Sequence, residues 1–315
     1  MKWILVITGL LFHVSLWTQN QLAVFKPSLK DLKIEAPTNT TAYTSIPFQV
    51  VNKMIYLEAG IDQEKGVCIV DTGCPGVIIN RAASANRESM QAKTLSSDLE
   101  IHSTVIKQLC LGELEVENIP GLAIPFGQFA SGHKEKVLGL VGYTLFKDYE
   151  TLFDFENKIL HLFPYQNAAL HRTASPVKQI KFSMEGHLPI ITLEIGDRKL
   201  YFGLDTGAAT NILDAALIKE LPEEIVKYLP MEQMRCLNGE YQDVEAAVIS
   251  QLAVEDYPLQ AMKFLFVNLS EANKSMGQQL DGLLGYAFFT QLLCSINYHQ
   301  RQLSLWEKPH SKDVF

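Results

Sequence analysis

The sequence predicts an all-β protein built from two homologous lobes that face one another. Three observations carry this expectation. The triplet Asp-Thr-Gly occurs twice, as Asp71-Thr72-Gly73 and Asp205-Thr206-Gly207, 205 − 71 = 134 residues apart. Each copy follows an apolar strand-like run, Cys68-Ile69-Val70 and Phe202-Gly203-Leu204. Each leads through a short turn into more apolar residues, Val77-Ile78-Ile79 and Ile212-Leu213. The surroundings repeat as well. At the offset of 134, Phe48 falls on Phe182, Ile61 on Ile195 and Lys65 on Lys199, with no gap through Gly73 on Gly207. A second block, Gly139-Leu140-Val141-Gly142-Tyr143, recurs as Gly282-Leu283-Leu284-Gly285-Tyr286 at an offset of 143. It continues through Phe146 on Phe289, Leu160 on Leu303 and Leu162 on Leu305. The difference, 143 − 134 = 9 residues, is an insertion between the two blocks of the second half. Internal repetition is sought before any fold assignment because overlooking it misassigns the fold.

The elements follow in order. Lys2 and the mostly apolar run Trp3 to Trp17 read as an export signal, too short for a comfortable membrane span. Residues 20–44 are a polar lead-in carrying Pro27 and Pro37. Phe48 to Ile61 and Val67 to Val70 read as strands ending at the first triplet. Ala82 to Ala92 is polar and helix-tolerant. Leu99 to Val116 reads as two strands, with Thr94 to Ser103 the polar tip of a candidate flap. Gly121 to Gly132 reads as a loop, and Thr151 to Phe163 as two strands around Glu156-Asn157. Ser175-Pro176 marks a linker at 171–177. It separates a first lobe at 45–170 from a second at 178–308, with a tail at 309–315. In the second lobe, Ile190 to Ile195 and Leu200 to Leu204 read as strands. Leu217, Ile218, Leu221, Ile225 and Tyr228 have helical spacing. Asn238-Gly239 is the strongest short hairpin signal in the chain, so Asn238, Gly239 and Tyr241 are assigned to a second flap.

Two carboxylates brought face to face cannot both ionise cheaply, so they share a proton. Such a pair can deprotonate an attacking water and protonate a leaving amine in turn, without metal or covalent intermediate. Asp71 and Asp205 are the candidate acid and base. Thr72 and Thr206 offer hydroxyls to tie the turns together. Gly73 and Gly207 allow close backbone approach and offer an N–H to each carboxylate.

These residues resemble the pepsin and retropepsin superfamily of aspartic proteases, over about residues 45 to 308. In that superfamily each lobe carries Asp-Thr-Gly, a flap hairpin and a later hydrophobic-hydrophobic-Gly element. Here that element corresponds to Leu140-Val141-Gly142 and Leu283-Leu284-Gly285. The resemblance implies a single-chain pseudo-dimer of short retropepsin-like halves, each lobe a closed β-barrel with the active-site cleft between them, catalysis by Asp71 and Asp205, and hydroxyl bonds from Thr72 and Thr206 across the lobe interface. One departure stands out. The residue after the first glycine, Ser or Ala in the family, is Cys74 here, followed by Pro75. The second lobe has Ala208.

Composition bounds the alternatives. With 27 basic against 35 acidic residues the net charge is −8, and no basic run is present, so nucleic acid is not an expected partner. Hydrophobic residues make up 47%, enough for two cores. Five cysteines show no metal-ligand spacing. His133, His161 and His299 read as isolated and exposed, and no Gly-x-Ser-x-Gly elbow is present. The expectation is an exported, monomeric aspartic endopeptidase with a peptide substrate, no cofactor, no metal and no stable membrane span. It is periplasmic or extracellular, or membrane-tethered if the first segment is retained. The rivals are a peptide-binding protein that kept the cleft without turnover, and a protein acting only after further dimerisation.

Overall fold

The computed structural model describes residues 4–5, 13–18, 21–24, 43–81, 89–93, 98–125, 133–166, 175–235, 241–276 and 279–306. Among these residues the chain is nearly all β. The first lobe closes into a six-stranded barrel. Met54–Ile61 pairs with Glu64–Val70, which pairs with Val137–Val141, then Val77–Asn80, Leu114–Ile124 and Asp98–Leu111. The last of these returns to Met54–Ile61 through Ala59 opposite Leu111 and Ile61 opposite Leu109. Leu57, Cys68, Val70, Val77, Ile79, Leu109 and Leu111 fill the interior. Closure leaves none of these strands as a bare edge, which in an all-β lobe is the main aggregation hazard.

The second lobe repeats the ring in Leu188–Ile195, Arg198–Leu204, Gly282–Leu284, Asn211–Asp214, Met262–Val267 and Tyr241–Ile249. Here the two long strands are broken. Tyr241–Ile249 resumes as Leu252–Val254, which pairs with Glu194 and Ile195 and completes the closure. Tyr257–Leu259 precedes Met262–Val267 in the same way. The break at Ser250-Gln251 contains a left-handed residue, Gln251 at φ 53°.

A third layer joins the lobes. Its strand order is Thr44–Val51, Ile159–Pro164, Tyr149–Asp154, Leu293–Asn297, Gln302–Trp306, Lys178–Lys181. At its centre Leu152 pairs with Ser295, its own counterpart at the offset of 143. A pseudo-twofold axis therefore passes between them. Two halves related this way present the same surface to each other, as in an isologous dimer. Glu150, buried in this sheet, accepts from Ser295 Oγ at 2.6 Å and Asn297 Nδ2 at 3.3 Å in the other lobe.

Register also locates the nine-residue insertion. Lys93 opposite Asp98 and Arg235 opposite Tyr241 close corresponding hairpins. Lys93 lies 13 residues after Asn80, and Arg235 lies 21 after Asp214, so eight inserted residues precede the second hairpin. The ninth is in its loop. Those eight lie between Asp214 and Arg235, a stretch that includes the segment expected to be helical from Asp214 to Tyr228. The structure corrects that expectation: two short 3-10 turns form, Ala215–Glu220 and Glu223–Ile225, and a strand begins at Val226. Pro222 has no N–H to continue an α-helix and holds Leu221 extended, at φ −87° and ψ 143°. The polar stretch 82–92 is likewise not helical where it is described, since Ser89–Lys93 is a strand paired with Asp98–Leu111. The expected loop at Gly121 to Gly132 begins later, because Leu114–Ile124 is one strand.

Within the N-terminal run, Ile4–Leu5 lies parallel to Met234 and Arg235. His13–Thr18 pairs with Gln21–Val24 and with Ser89–Lys93. No helix among the described residues is long and apolar enough to cross a membrane.

Gly139 and Gly282 occupy the same place in the two lobes, and neither has room for a side chain. A Cβ would lie 2.1 Å from the Ile78 carbonyl oxygen in one lobe and 2.2 Å from that of Ile212 in the other. Gly139→Ala and Gly282→Ala should each destabilise by about 3 kcal/mol or more, because the clash is with backbone rather than a flexible side chain. Urea unfolding should show a lower midpoint with little change in slope.

Candidate active site

Each Asp-Thr-Gly sits where a barrel strand ends and the chain turns. Asp71 N–H donates to Val141 O at 2.9 Å, and Asp205 N–H to Leu284 O at 2.9 Å. The hydrophobic-hydrophobic-Gly element thus holds each turn from behind. Tyr143 N–H to Cys74 O and Tyr286 N–H to Ala208 O, both 2.9 Å, complete the hold. Aromatic pairs then cross between lobes. Tyr143 packs edge-on against Tyr298, and Tyr286 against Phe155, which is the repeat counterpart of Tyr298.

The two turns are tied by four reciprocal bonds. Thr72 N–H donates to Thr206 Oγ1 at 3.0 Å, and Thr206 N–H to Thr72 Oγ1 at 2.9 Å. Thr72 Oγ1–H donates to Leu204 O and Thr206 Oγ1–H to Val70 O, both at 3.0 Å. Each hydroxyl therefore accepts and donates across the interface between the two turns.

The carboxyls lie against each other's glycines. A Cβ on Gly207 would sit 2.4 Å from Asp71 Cγ, and one on Gly73 2.7 Å from Asp205 Cγ. Each carboxyl takes one N–H from its own triplet, Gly73 N to Asp71 Oδ1 at 2.9 Å and Gly207 N to Asp205 Oδ1 at 2.8 Å. The other oxygens, Asp71 Oδ2 and Asp205 Oδ2, are buried without a protein donor among the described residues. Both side chains are 0% exposed. Burial is the largest cause acting on both, and it pushes both carboxyls up. The Asp205 charge raises Asp71 further, so Asp71 lies well above the carboxylate range, with Asp205 at about 7. Each carboxyl acts on the other, so the two ionisations belong to the pair.

Around the turns runs an apolar cluster drawn from both lobes. Met54, Tyr56, Ile69, Ile78 and Leu140 come from the first, Leu188, Ile190, Ile212 and Leu283 from the second, with Cys74, Ala208 and Ala209 of the turns among them. Cys74 is fully buried, and its Sγ–H points to Gly76 O at 3.3 Å, within its own turn. Burial, then the charge of Asp71, push its thiol well up, so it is a thiol rather than a nucleophilic thiolate.

Of the flap residues, Tyr241 begins the strand Tyr241–Ile249 and is 49% exposed. Asn238 and Gly239 lie outside the described residues, between the paired strands that end at Arg235 and begin at Tyr241. Of the first tip, expected at Thr94 to Ser103, residues 94–97 also lie outside them, and the rest is corrected to strand, since Asp98 already pairs with Lys93. One histidine expectation is corrected. His161 is only 8% exposed and bonds the Tyr43 hydroxyl at 2.6 Å and Ser45 Oγ at 2.9 Å, because it sits in the six-stranded sheet under Tyr43 and Phe163. The residue that sequence reasoning missed is His187, whose Nε2 lies 2.7 Å from Gly73 O. The repeat alignment could have flagged it, since it faces Lys53 at the offset of 134, one residue before the strand that leads toward the triplet.

With this geometry described, the relatives can be placed. Residues 191–288 match the family model described as Aspartyl protease, a stretch that spans the second triplet and ends in Tyr286–Phe289. The crystal structure of Basic 7S globulin from soybean is similar over 87% of this chain and 97% of that one, with a TM-score of 0.52 at 8% identity. At that identity the likeness speaks for the fold. No curated protein matches in sequence. The family match over the second lobe and the similarity of the two-lobed fold both support the resemblance to the pepsin and retropepsin superfamily.

Thr72→Val should leave Thr206 N–H and Leu204 O without partners, at roughly 1–3 kcal/mol each. Thr206→Val should do the same to Thr72 N–H and Val70 O. Both should lower the urea midpoint clearly, whereas Thr72→Ser and Thr206→Ser, which keep the hydroxyl, should stay within about 1 kcal/mol.

The dyad also makes stability pH-dependent. A carboxyl whose folded pKa is raised contributes stability that is fully present below its unfolded value and lost as pH rises through the folded one. The wild type should therefore weaken as pH rises from about 4 to about 7. Asp71→Asn and Asp205→Asn should flatten that slope and raise the melting temperature at pH 7, measured by calorimetry.

Proposed function

We propose that this protein is an exported aspartic endopeptidase that hydrolyses peptide bonds with a water activated between Asp71 and Asp205. The observation that carries the reading is the pair of buried carboxyls, each packed on the other's glycine, each with one oxygen turned away from its own triplet's N–H. In the monoprotonated pair the ionised member takes a proton from water as it attacks the carbonyl carbon. The protonated member first polarises the carbonyl oxygen, and a proton then passes to the departing amine. The apolar cluster around the turns suits an extended peptide with apolar side chains and keeps the dielectric low, which strengthens every charge interaction at the site. Both lobes lie in one chain, which supports a monomer. The export part rests on the apolar run Trp3 to Trp17.

A second reading, a peptide-binding protein without turnover, is favoured by one observation: neither carboxyl is exposed. Substrate entry then requires the flap hairpins to move, as lids do in many enzymes. A pure binding site, however, has no need of two intact triplets.

The deciding experiment is incubation with a diverse peptide mixture across pH, read by mass spectrometry. Cleavage should follow a bell-shaped profile with an acidic to weakly acidic optimum. Asp71→Asn and Asp205→Asn should each reduce it at least about a thousandfold, worth roughly 4 kcal/mol of barrier. Specific activity should not fall on dilution. Binding without cleavage by the wild type would favour the second reading.

A further inference from the structure

The catalytic turns are not equivalent, and the difference lies in how each is braced. In the second lobe, Asn211 Oδ1 accepts Gly285 N–H at 2.9 Å while its Nδ2 donates to Lys263 O at 3.3 Å. This side chain links the turn to the element behind it and to a neighbouring strand. The repeat counterpart of Asn211 in the first lobe is Val77, which has no polar side-chain atom to do this. The first turn also carries Pro75 in place of Ala209, so it has one backbone N–H fewer.

The first turn is held from the other side instead. His187 occupies the hairpin turn between Ser183–Glu185 and Leu188–Ile195, next to Gly186, whose φ of +57° shapes the turn. Its Nε2 reaches across the lobe interface to Gly73 O at 2.7 Å. A carbonyl oxygen only accepts, so Nε2 carries the proton. Burial pushes the imidazole down to about 4, which keeps it neutral through the weakly acidic range. Gly73 lies between the carboxyls: its N–H holds Asp71 Oδ1, and a Cβ on it would meet Asp205 Cγ at 2.7 Å. The repeat counterpart of His187 is Lys53, so the second lobe's turn has no imidazole at this place.

We propose that His187 is a positioning residue that pins the Gly73–Cys74 peptide from the opposite lobe and so holds Asp71 in line with Asp205. The role rests on the aspartic endopeptidase reading. It takes no part in proton transfer. Its effect reaches the reaction only through the placement of one carboxyl, and misplacement of a reacting group by about 1 Å costs on the order of a hundredfold in rate.

The test compares His187→Ala and His187→Gln with wild type and Asp71→Asn on a cleaved peptide, with melting temperatures for all. His187→Ala should lower kcat about tenfold to a hundredfold with KM within about threefold. His187→Gln, which keeps an N–H donor at similar reach, should recover most of kcat. Long-range nitrogen–proton NMR of the wild-type imidazole should show the proton on Nε2, a readout that needs neither turnover nor a variant that folds. The inference is overturned if His187→Ala turns over at the wild-type rate, if only KM rises, if Gln rescues no better than Ala, or if the proton is on Nδ1. A wild type as inactive as Asp71→Asn would bring down the enzymatic reading itself. A cleaving wild type with an indifferent His187→Ala would bring down this inference alone.

Discussion

The centre of this molecule is organised by the difficulty of burying two carboxyl groups face to face. Water is excluded from both, and like charge opposes ionisation of the second. Each additional structural feature at the site offsets part of that cost or confines its consequences. The glycine N–H groups stabilise one oxygen of each carboxyl. A proton that cannot leave cheaply is best shared, and in the proposed reaction such a pair serves as both acid and base. The reciprocal threonine bonds stop the turns from separating to relieve the repulsion. Absence of side chains at Gly73 and Gly207 lets the turns come close enough for sharing to occur at all.

The same constraint explains why duplication suits the chain. A site made of two like groups is most simply built from two like lobes on a twofold axis, and the axis is visible twice, between Thr72 and Thr206 and between Leu152 and Ser295. The six-stranded sheet that carries the second point fixes the distance between the barrels, while the aromatic exchange of Tyr143 with Tyr298 and Tyr286 with Phe155 fills the space beneath the turns. Symmetry is broken only where the halves need not match. Two 3-10 turns precede the second hairpin in the stretch that holds the insertion, and Asn211 and His187 brace the two Asp-Thr-Gly turns by different means.

Much of this was legible in the chain itself. The repeated triplets and the two offsets identified the carboxyls, their threonines and glycines, and the elements behind them, because the repeat preserves spacing along strands whose side chains alternate with period two. Periodicity misjudged the segment from Asp214 to Tyr228, where apolar residues at helical intervals are shared between short 3-10 turns and a strand cut off from any helix by Pro222. It also misjudged His161, since a polar residue in a strand reads as exposed unless the layer covering it is known.

By itself the sequence determined the two-lobed architecture and pointed to the two Asp-Thr-Gly carboxyls as the candidate dyad, because these depend on local motifs and on a repeat that can be aligned without coordinates. Only the tertiary structure decided what holds the dyad in place. The threonine network, the contact of each carboxyl with the opposite glycine, the direction of the Cys74 thiol and the reach of His187 to Gly73 join atoms distant in sequence or depend on one side-chain rotamer. Such contacts are set by how two barrels pack, and no local pattern of residues records that packing.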